Sequence, residues 1–345
     1  MAYRYIGNKA RIASWIVDHV AGTLPSGSSI ADPMCGTATM SAVFAERGFR
    51  VIAADELRFP VLHAQARLLH DGASAFGSMT AYQNALADLN GLSGVKGFFW
   101  QEYSDEGRPR NGTKPRKYFT GPNAAKIDAI RAEIKKWREQ RLPSQAVDLL
   151  LHDLILAVNR SANIAGTYGY YRSTWNRTSL DPLVLYPSDQ IRHARVHEVR
   201  QGRVEDLASH ITADAFYLDP PYTKRQYGGN YHILETIAQE DEPEPVGDGG
   251  LRDWYPQASD FCYRRKAKVA FERTLSQIDA RWVFVSYSED GHVSSDELVE
   301  LLASFGNVNR LQTPIERFRS NDRVAKVGAV HEHLYVLEKR HDRPA

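Results

Sequence analysis

The chain has 345 residues, is 43% hydrophobic and 25% charged, and carries a formal net charge of +1. This length and apolar content predict a large α/β domain with a buried core and room for a smaller inserted part. The near-neutral charge excludes binding of a polyanion by the overall field of the protein, so any such binding must use basic residues gathered on one face.

Cysteine usage and the N-terminal residues favour a reducing cytoplasm. Cys35 and Cys262 are far apart and form no Cys-x-x-Cys pattern, which excludes a disulfide framework or a zinc finger. The polar and aromatic N-terminal residues do not resemble a secretion signal. No apolar run in the sequence is long enough to span a membrane.

The N-terminal part of the chain predicts a parallel sheet. Apolar residues at helical spacing indicate helices, and short apolar runs bounded by turn residues indicate strands. In chain order we expect a helix at 9–20, a strand at 28–32, a loop of small residues at 33–37, a helix at 39–47 and a strand at 49–54. A strand, a glycine-containing turn, a helix and a second strand form a βαβ unit, whose strands are parallel.

A long insertion separates this part from the rest of the sheet. From about 58 to 195, helices at 124–141 and 144–159 stand among polar loops. Around and beyond its end the pattern predicts a strand near Val199, strands at 215–218, 282–286, 308–311 and 333–337, a helix at 294–305 and a surface loop at 239–250. The sequence therefore predicts one sheet domain made of two chain segments.

The strongest chemical pattern is Asp219-Pro220-Pro221-Tyr222, which follows the apolar strand at 215–218. Ligands of doubly wound sheets lie at the carboxyl ends of strands. Prolines fix the backbone and donate no hydrogen bond, so this turn offers a carboxylate and a carbonyl as acceptors. An exocyclic amino group that donates to both becomes a better nucleophile, and Tyr222 can stack on its ring. The alternative is a proline-rich turn with a solvated aspartate.

A second pattern indicates a ligand loop at 32–39, where small residues such as Gly36 let the backbone approach a ligand closely. The loop is neither the three-glycine dinucleotide fingerprint nor a phosphate-binding loop. Asp32 could hold the ammonium group of an amino-acid ligand, and Asp55 or Glu56, after the next strand, could bond ribose hydroxyls. The structural alternatives are a tight turn for the loop and a helix cap for Asp55.

Together these motifs resemble an N6-adenine DNA methyltransferase of the Dam-like D12 class, in the α order of motifs. That order is an N-terminal motif at 5–9, the cofactor loop at 32–39, an insertion, and the tetrapeptide at 219–222. The run 219–238 is similar to the branch that contains the methylase of the FokI restriction system. Four ordered motifs are more specific than any one of them.

The resemblance implies an α/β fold, with a seven-stranded, mostly parallel Rossmann-like methyltransferase sheet, helices on both faces and an antiparallel last strand. It places the catalytic domain at 1–59 and 196–345 and a helical target-recognition insertion at 60–195. The implied reaction transfers a methyl group from S-adenosylmethionine to N6 of an adenine flipped out of double-stranded DNA, leaving S-adenosylhomocysteine. A restriction-modification system, with a cognate restriction endonuclease as partner, fits the same resemblance.

The resemblance also assigns roles to individual residues. Around the cofactor it implies Tyr5, Gly7 and Lys9 at the methionine end, Asp32, Pro33 and Met34 in the pocket, and Glu205 or Asp206 at the adenine. Ser286 and Tyr287, at the end of a later strand, would border the target base.

A near-neutral protein needs clustered cations to hold DNA, and the insertion contains the densest cluster. The expected backbone contacts are Arg108, Arg110, Lys114, Arg116 and Lys117. Aromatic, arginine and asparagine residues at 163–177 suit contact with bases and phosphates. We expect further DNA contacts from Tyr168, Asn176, Arg177, Arg225 and Tyr227. The alternatives are a solvated loop for the cations and packing against the sheet domain for 163–177, and the basic run at 264–268 is a rival cluster.

Two hypotheses compete with adenine methylation of DNA. One keeps the fold and changes the substrate to N4 of cytosine or to adenine in RNA, but aspartate at 219 favours adenine, because N4-cytosine enzymes more often carry serine there. The other is a catalytically silent DNA-binding specificity component, against which the intact motifs argue. His331 and His333 lack a third metal ligand, so no metal site is predicted.

Overall fold

The computed structural model describes residues 3–188, 195–315 and 330–340. Contacts divide the chain into two compact units. The helical unit comprises Met1–Ile6, Leu57–Arg192 and Tyr227–Gln257, and the sheet unit comprises Gly7–Glu56, His193–Gln226 and Ala258–Ala345. The helical unit therefore holds the segment after the tetrapeptide as well as most of the predicted insertion. The role of the insertion in target recognition stays a prediction.

All seven strands in the described part of the chain belong to the sheet unit. They are β1 Ser29–Asp32, β2 Arg50–Asp55, β3 Glu198–Gln201, β4 Ala215–Leu218, β5 Trp282–Ser288, β6 Gly306–Ile315 and β7 Val330–Lys339. Their order is β3-β2-β1-β4-β5-β7-β6; β7 is antiparallel to both neighbours and the other pairs are parallel. The predicted Rossmann-like sheet with an antiparallel last strand is confirmed.

Thirteen α-helices occur in the described residues. They are α1 Ala13–Thr23, α2 Thr39–Glu46, α3 Arg58–Leu68, α4 Gly72–Phe76, α5 Met79–Gly91, α6 Phe98–Tyr103, α7 Gly121–Glu139, α8 Ser144–Ser161, α9 Val204–Leu207, α10 Tyr227–Asn230, α11 His232–Gln239, α12 Ala267–Gln277 and α13 Ser295–Ala303. Helices α3 to α8, α10 and α11 form the helical unit. None of the described helices is long and apolar enough to cross a membrane.

The central strand β4 is covered on both faces. All of its residues are buried, as expected for a parallel strand between layers of helices. Side chains alternate along a strand. Phe216 and Leu218 join an apolar cluster with Phe271 of α12, whereas Tyr217 packs edge-on against Phe44 of α2, with ring centroids 5.4 Å apart. The predicted helices on both faces are confirmed.

The ends of β1 and β4 define one edge of the sheet. The two strands are parallel neighbours, with Ile30 paired to Ala215. Asp32 is the last residue of β1, and Asp219 directly follows β4. Both carboxylates therefore lie at the carboxyl edge of the sheet, where α/β proteins bind ligands.

Some element boundaries follow capping and pairing rather than apolar spacing. Helix α7 begins before its predicted start because Thr120 accepts the N–H of Asn123 at 3.4 Å and Pro122 needs no partner in the first turn. Strands β6 and β7 exceed their predicted lengths because their antiparallel pairing continues through polar residues as far as Gly306 and Lys339.

In the helical unit, a buried carboxylate caps the N-terminus of α3. Glu235 of α11 is 0% exposed and accepts the N–H groups of Arg58 and Phe59, each at 3.0 Å. A helix leaves such first-turn amides without intrahelical partners. Gln239 and Gln257 also donate to Glu235 Oε1. One carboxylate thus joins α3, α11 and the end of the segment after the tetrapeptide.

Glu235→Ala should lower the free energy of unfolding by about 2–4 kcal/mol, because it leaves several hydrogen-bond donors in the protein interior without an acceptor. Denaturant unfolding followed by circular dichroism measures the change. Glu300→Ala, at an exposed site on α13, is the matched control and should change the free energy by less than about 0.5 kcal/mol. Equal effects of the two changes would contradict the capping role of Glu235.

Candidate active site

Asp219 is held by an ion pair with Lys9, which precedes α1. Asp219 Oδ1 lies 3.2 Å from Lys9 Nζ. Lys9 Nζ also pairs with Glu332 on β7, and the hydroxyl of Ser286 on β5 donates to Glu332 Oε1 at 3.0 Å. One ammonium group therefore stands between two carboxylates from different parts of the sheet unit.

The three side chains differ in their exposure to solvent. The side chains of Lys9 and Glu332 are each 5% exposed, whereas that of Asp219 is 19% exposed. Among the residues that the structure describes, Lys9 is the hydrogen-bonding side chain of Asp219 and binds through Oδ1. Oδ2 is therefore the edge of the carboxylate that a ligand can meet.

Burial and charge set the protonation of this pair. Burial raises the pKa of Asp219 to about 7, Lys9 opposes the rise, and the charge of Glu332 adds to it. Burial by itself would lower the pKa of Lys9, but the carboxylates of Asp219 and Glu332 outweigh burial and the pKa is raised. At neutral pH the ammonium is therefore charged and Asp219 is close to its midpoint.

The aromatic residue of the tetrapeptide lies beside the same ammonium. Lys9 Nζ is 5.5 Å from the centroid of the Tyr222 ring, which meets Tyr287 edge-on at 6.1 Å. The carbonyl of Tyr222 accepts the N–H of His292 at 3.0 Å. Tyr222 is partly exposed, so its ring can receive a planar ligand.

Asp32 is a buried carboxylate with one oxygen that lacks a hydrogen-bond partner among the described residues. It is 1% exposed, and its Oδ2 accepts the hydroxyl of Ser41 at 2.5 Å. Oδ1 has no hydrogen-bond partner among the described residues. Burial raises the pKa of Asp32 to about 7. Buried polar atoms nearly always have a partner in native proteins, so Asp32 fits the ammonium end of a ligand such as S-adenosylmethionine.

The loop after β1 is tied to the end of β2. Gly36 has a φ of 52°, a left-handed conformation that favours glycine. Its N–H donates to Asp55 Oδ2 at 3.0 Å, and the N–H of Cys35 donates to the carbonyl of Ala54 at 2.9 Å. Asp55 is partly exposed. It therefore shapes the loop and still has a surface for a ligand.

Neighbouring cations distinguish the remaining acidic candidates. Glu56 pairs with Arg203 at 2.9 Å, and Glu205 pairs with Arg273 at 3.2 Å. Asp206 is exposed at the start of α9. Because Glu56 and Glu205 are already neutralised, we favour Asp55 and Asp206 for the predicted cofactor contacts.

The N-terminal motif is divided between the units. Gly7, with a φ of 78°, and Lys9 belong to the sheet unit. Tyr5 belongs to the helical unit, where it stacks on Tyr231 with ring centroids 4.7 Å apart. In that unit Tyr227 donates its hydroxyl to the carbonyl of Ile6 at 3.1 Å. Contacts of Tyr5 with cofactor and of Tyr227 with DNA stay predictions.

One predicted DNA contact is wrong: Arg116 is 1% exposed. Its Nη1 pairs with the buried Glu102 at 3.0 Å, and the rest of the guanidinium donates to carbonyls of Asn111, Gly247 and Asp248. Contact with a phosphate would break these bonds and leave Glu102 as an unpaired buried charge. Arg116 instead supports the loop that carries the neighbouring cations.

The other cations of this loop are on the surface. Arg108, Lys114 and Lys117 are exposed. Arg110 is exposed too, but its Nε pairs with Glu102 at 2.9 Å. Within the described residues, three exposed side chains of this loop, rather than the predicted five, have no ion pair and suit contact with a polyanion.

The segment 166–177 is partly core and partly surface. Tyr168 is 0% exposed and packs in the apolar core of the helical unit, so the predicted DNA contact of Tyr168 is wrong. Asn176 donates its Nδ2 to the carbonyl of Ile164 at 3.1 Å. Arg177 is exposed. Tyr170, 53% exposed, stacks on Tyr171 with centroids 4.6 Å apart.

Asn163, which the sequence indicated only as the first residue of the segment 163–177, connects this segment to the basic loop. It is 0% exposed. Its Nδ2 donates to the carbonyls of Lys117 and Arg172, and its Oδ1 accepts the N–H of Asn176. A single buried amide thus fixes the spacing between the two predicted DNA-contacting segments.

Sequence reasoning also missed Glu332. An acidic residue at the start of a largely apolar strand was the available signal, but the flanking histidines suggested an exposed edge. Only the pairing of β7 with β5 brings Glu332 to Ser286 and Lys9. Ser286 is 0% exposed and bonded to Glu332, which does not favour its predicted contact with the target base.

A family model described as D12 class N6 adenine-specific DNA methyltransferase matches residues 5–301. The chain is 30% identical to the type II methyltransferase M.NlaIII of Neisseria lactamica, over 97% of this chain and 99% of that protein. It is 27% identical to the modification methylase StsI of Streptococcus sanguinis and 28% identical to the type II methyltransferase M.FokI of Planomicrobium okeanokoites. These matches cover 98% and 97% of this chain but only 52% of each relative.

Among solved structures, an rRNA methyltransferase from Streptomyces viridochromogenes matches with a TM-score of 0.32 and 13% identity, over 97% of this chain and 88% of that one.

Asp32→Asn should weaken S-adenosylmethionine binding by about 1.5–3 kcal/mol, the range for a hydrogen bond to a charged group. The ligand-free protein should unfold no more easily than wild type, because the change removes a buried charge with an unmet oxygen. Calorimetry and denaturant unfolding measure the two effects. Asp279→Asn, at an exposed site, is the control. Unchanged affinity in Asp32→Asn would remove Asp32 from the cofactor site.

Proposed function

Because the chain belongs to the D12 class of N6 adenine-specific DNA methyltransferases, we propose that Asp219 and its tetrapeptide polarise the target amino group. The protein is a site-specific DNA-methyltransferase that transfers a methyl group from S-adenosylmethionine to adenine. The family match disfavours the rival substrates and the silent DNA-binding component. The observation that carries the catalytic proposal is the Asp219 carboxylate at the end of β4, with Oδ1 on Lys9 and Oδ2 accessible.

S-adenosylmethionine, when bound, supplies a methyl group on a sulfonium sulfur. The residues that would hold it lie at the carboxyl edge of the sheet: Asp32 at the ammonium, Pro33, Met34 and Gly36 along the loop, Asp55 at the ribose, and Asp206 or Glu205 at the adenine. The unmet oxygen of Asp32 supports the first of these assignments. Gly7 keeps its predicted place beside the methionine end, and Lys9 acts on Asp219.

The amino nitrogen of adenine is a poor nucleophile because its lone pair is delocalised into the ring. In our proposal Asp219 Oδ2 and the carbonyl of Pro220 accept its two N–H bonds, and Pro221 stiffens the turn. Electron density then returns to the nitrogen. Methyl transfer leaves an extra proton there, which Asp219 can accept, because its pKa is raised to about 7 by burial.

The amino group of an adenine in duplex DNA is paired, so the base must leave the helix to reach Asp219. The partly exposed ring of Tyr222, beside the Lys9 ammonium, supports a role for Tyr222 as the stacking surface for the extruded base. Stacking on aromatic side chains typically contributes about 1–3 kcal/mol per base.

We propose that the helical unit recognises double-stranded DNA. Its exposed cations Arg108, Lys114 and Lys117 suit phosphate contact, whereas Arg177 and the exposed Tyr170 suit contact with bases. The exposed Arg225 of the sheet unit adds a phosphate contact. The relatives are type II methyltransferases and modification methylases, which supports a restriction-modification system with a cognate endonuclease as partner in the cytoplasm.

Asp219→Ala should retain cofactor binding but lose methyl transfer by at least about 100-fold, because polarisation of the amino group acts on the chemical step. Single-turnover transfer of a tritiated methyl group to cognate DNA measures the loss. Asp290→Ala, at another exposed site of the sheet unit, is the control and should transfer normally. A wild-type rate in Asp219→Ala would overturn the catalytic assignment.

Neutralising Arg108, Lys114 and Lys117 with glutamine should weaken binding to cognate and scrambled duplexes alike. The slope of log affinity against log salt should fall by up to about 0.9 for each lost contact, because fewer counterions are released. Lys135→Gln/Lys136→Gln, exposed on α7 of the same unit, is the matched control. An unchanged slope in the triple variant would shift the backbone contact to the exposed cations at 264–268.

A further inference from the structure

Lys9, which pairs with Asp219, also pairs with the buried carboxylate of Glu332. The proposed polarisation of the amino group does not use this second carboxylate. Glu332 is 4% exposed and lies opposite Ser288 in the pairing of β7 with β5. It belongs to neither the tetrapeptide nor the cofactor loop. A carboxylate removed from water in this way costs stability unless it is paired and hydrogen-bonded. Of its two partners, Ser286 and Lys9, the lysine also pairs with Asp219.

We propose that Glu332 is a positioning residue for methyl transfer, which holds the Lys9 ammonium on Asp219 Oδ1 and so keeps Oδ2 open for the adenine amino group. The inference rests on the proposed role of Asp219. It adds a functional group on the antiparallel strand β7, which lies between β5 and β6 in the sheet.

The geometry indicates that Glu332 restrains the position of the Lys9 ammonium in addition to balancing its charge. Lysine carries a compact ammonium on a flexible stem and donates up to three hydrogen bonds. With Asp219 as its only acceptor, the ammonium could move between both carboxylate oxygens and occupy the place of the amino group. Glu332 draws it to the other side, and Ser286 fixes Glu332 Oε1 by a bond of 3.0 Å.

The charges of the cluster give this restraint a second effect. Two carboxylates share one ammonium, so the negative charge of Glu332 opposes ionisation of Asp219 and adds to the rise in its pKa that burial causes. The other titratable groups around the cluster are Asp32 on β1, Tyr217 and Tyr222 near β4, and His333 and Tyr335 on β7. Burial lowers the pKa of His333, which favours the neutral imidazole.

The test is the pH dependence of single-turnover methylation in Glu332→Gln, at saturating S-adenosylmethionine and cognate DNA. Saturation removes the contribution of Asp32, which is covered when cofactor is bound. The plateau rate should fall by about 10- to 100-fold, the scale for a misplaced catalytic group. The acid limb should move to lower pH by about one unit, because removing a nearby negative charge favours ionised Asp219.

Glu332→Asp keeps the charge but withdraws it from Lys9. It should leave the acid limb near its wild-type position and still lower the plateau rate. Glu338→Gln, on the same strand in a surface pair with Arg281, should change neither. The Asp variant also serves if the Gln variant does not fold.

A wild-type plateau in Glu332→Asp, or a lower rate in Glu332→Gln without movement of the acid limb, would overturn the inference. Both outcomes leave the proposed function intact provided that Asp219→Ala is inactive. Activity in Asp219→Ala would instead remove the proposed function and this inference together.

Discussion

A lysine ammonium buried to 5% exposure is stable only beside compensating charge, and Lys9 finds that charge in Asp219 and Glu332. These contacts bind three distant parts of the sequence: the segment before α1, the turn after β4 and the strand β7. The proposed catalytic carboxylate is therefore not an isolated side chain on a loop. The position and charge of Asp219, and which of its oxygens a ligand can reach, all depend on the ion pairs of Lys9 at the carboxyl edge of the sheet.

The elements that the sequence predicted well are those with a strong local signal. Strand β4 is a continuous apolar run that stops at Asp219, and the βαβ unit from β1 to β2 is marked by apolar runs and glycine turns. The order of motifs supplied the antiparallel last strand. The full length of β6 and β7 could not be predicted, because polar residues continue the pairing and carry no apolar alternation.

Side-chain roles that depend on distant partners could not be read from the sequence. Arg116 lies in a basic run and resembles its neighbours, yet Glu102 and carbonyls from residues 247 and 248 bury it. Tyr168 and Tyr170 are two residues apart, but one fills the core and the other is half exposed. Composition indicated candidate segments for a surface that contacts DNA, and packing determines which of their side chains are exposed.

The segments that face DNA in our proposal are therefore rigidly framed. Asn163 connects the carbonyl of Lys117 to the N–H of Asn176, and Arg116 fixes the base of the cationic loop. The 43 lysine and arginine residues of the chain are balanced by 42 aspartate and glutamate residues, so the local spacing of exposed cations matters more than their total number. Precise spacing of a few charges suits a protein that must both slide along a backbone and stop at one sequence.

The burial of Asp32, one of whose oxygens lacks a hydrogen-bond partner among the described residues, affects how the protein exchanges protons with solvent. Because burial raises the pKa of Asp32 to about 7, a neutral solution contains both protonated and ionised forms of the ligand-free protein. If Asp32 holds the ammonium group of the cofactor as proposed, binding selects the ionised form of Asp32 and releases the proton from the protonated fraction. Cofactor capture is then coupled to proton release, and the measured heat of binding includes the ionisation heat of whichever buffer takes up that proton.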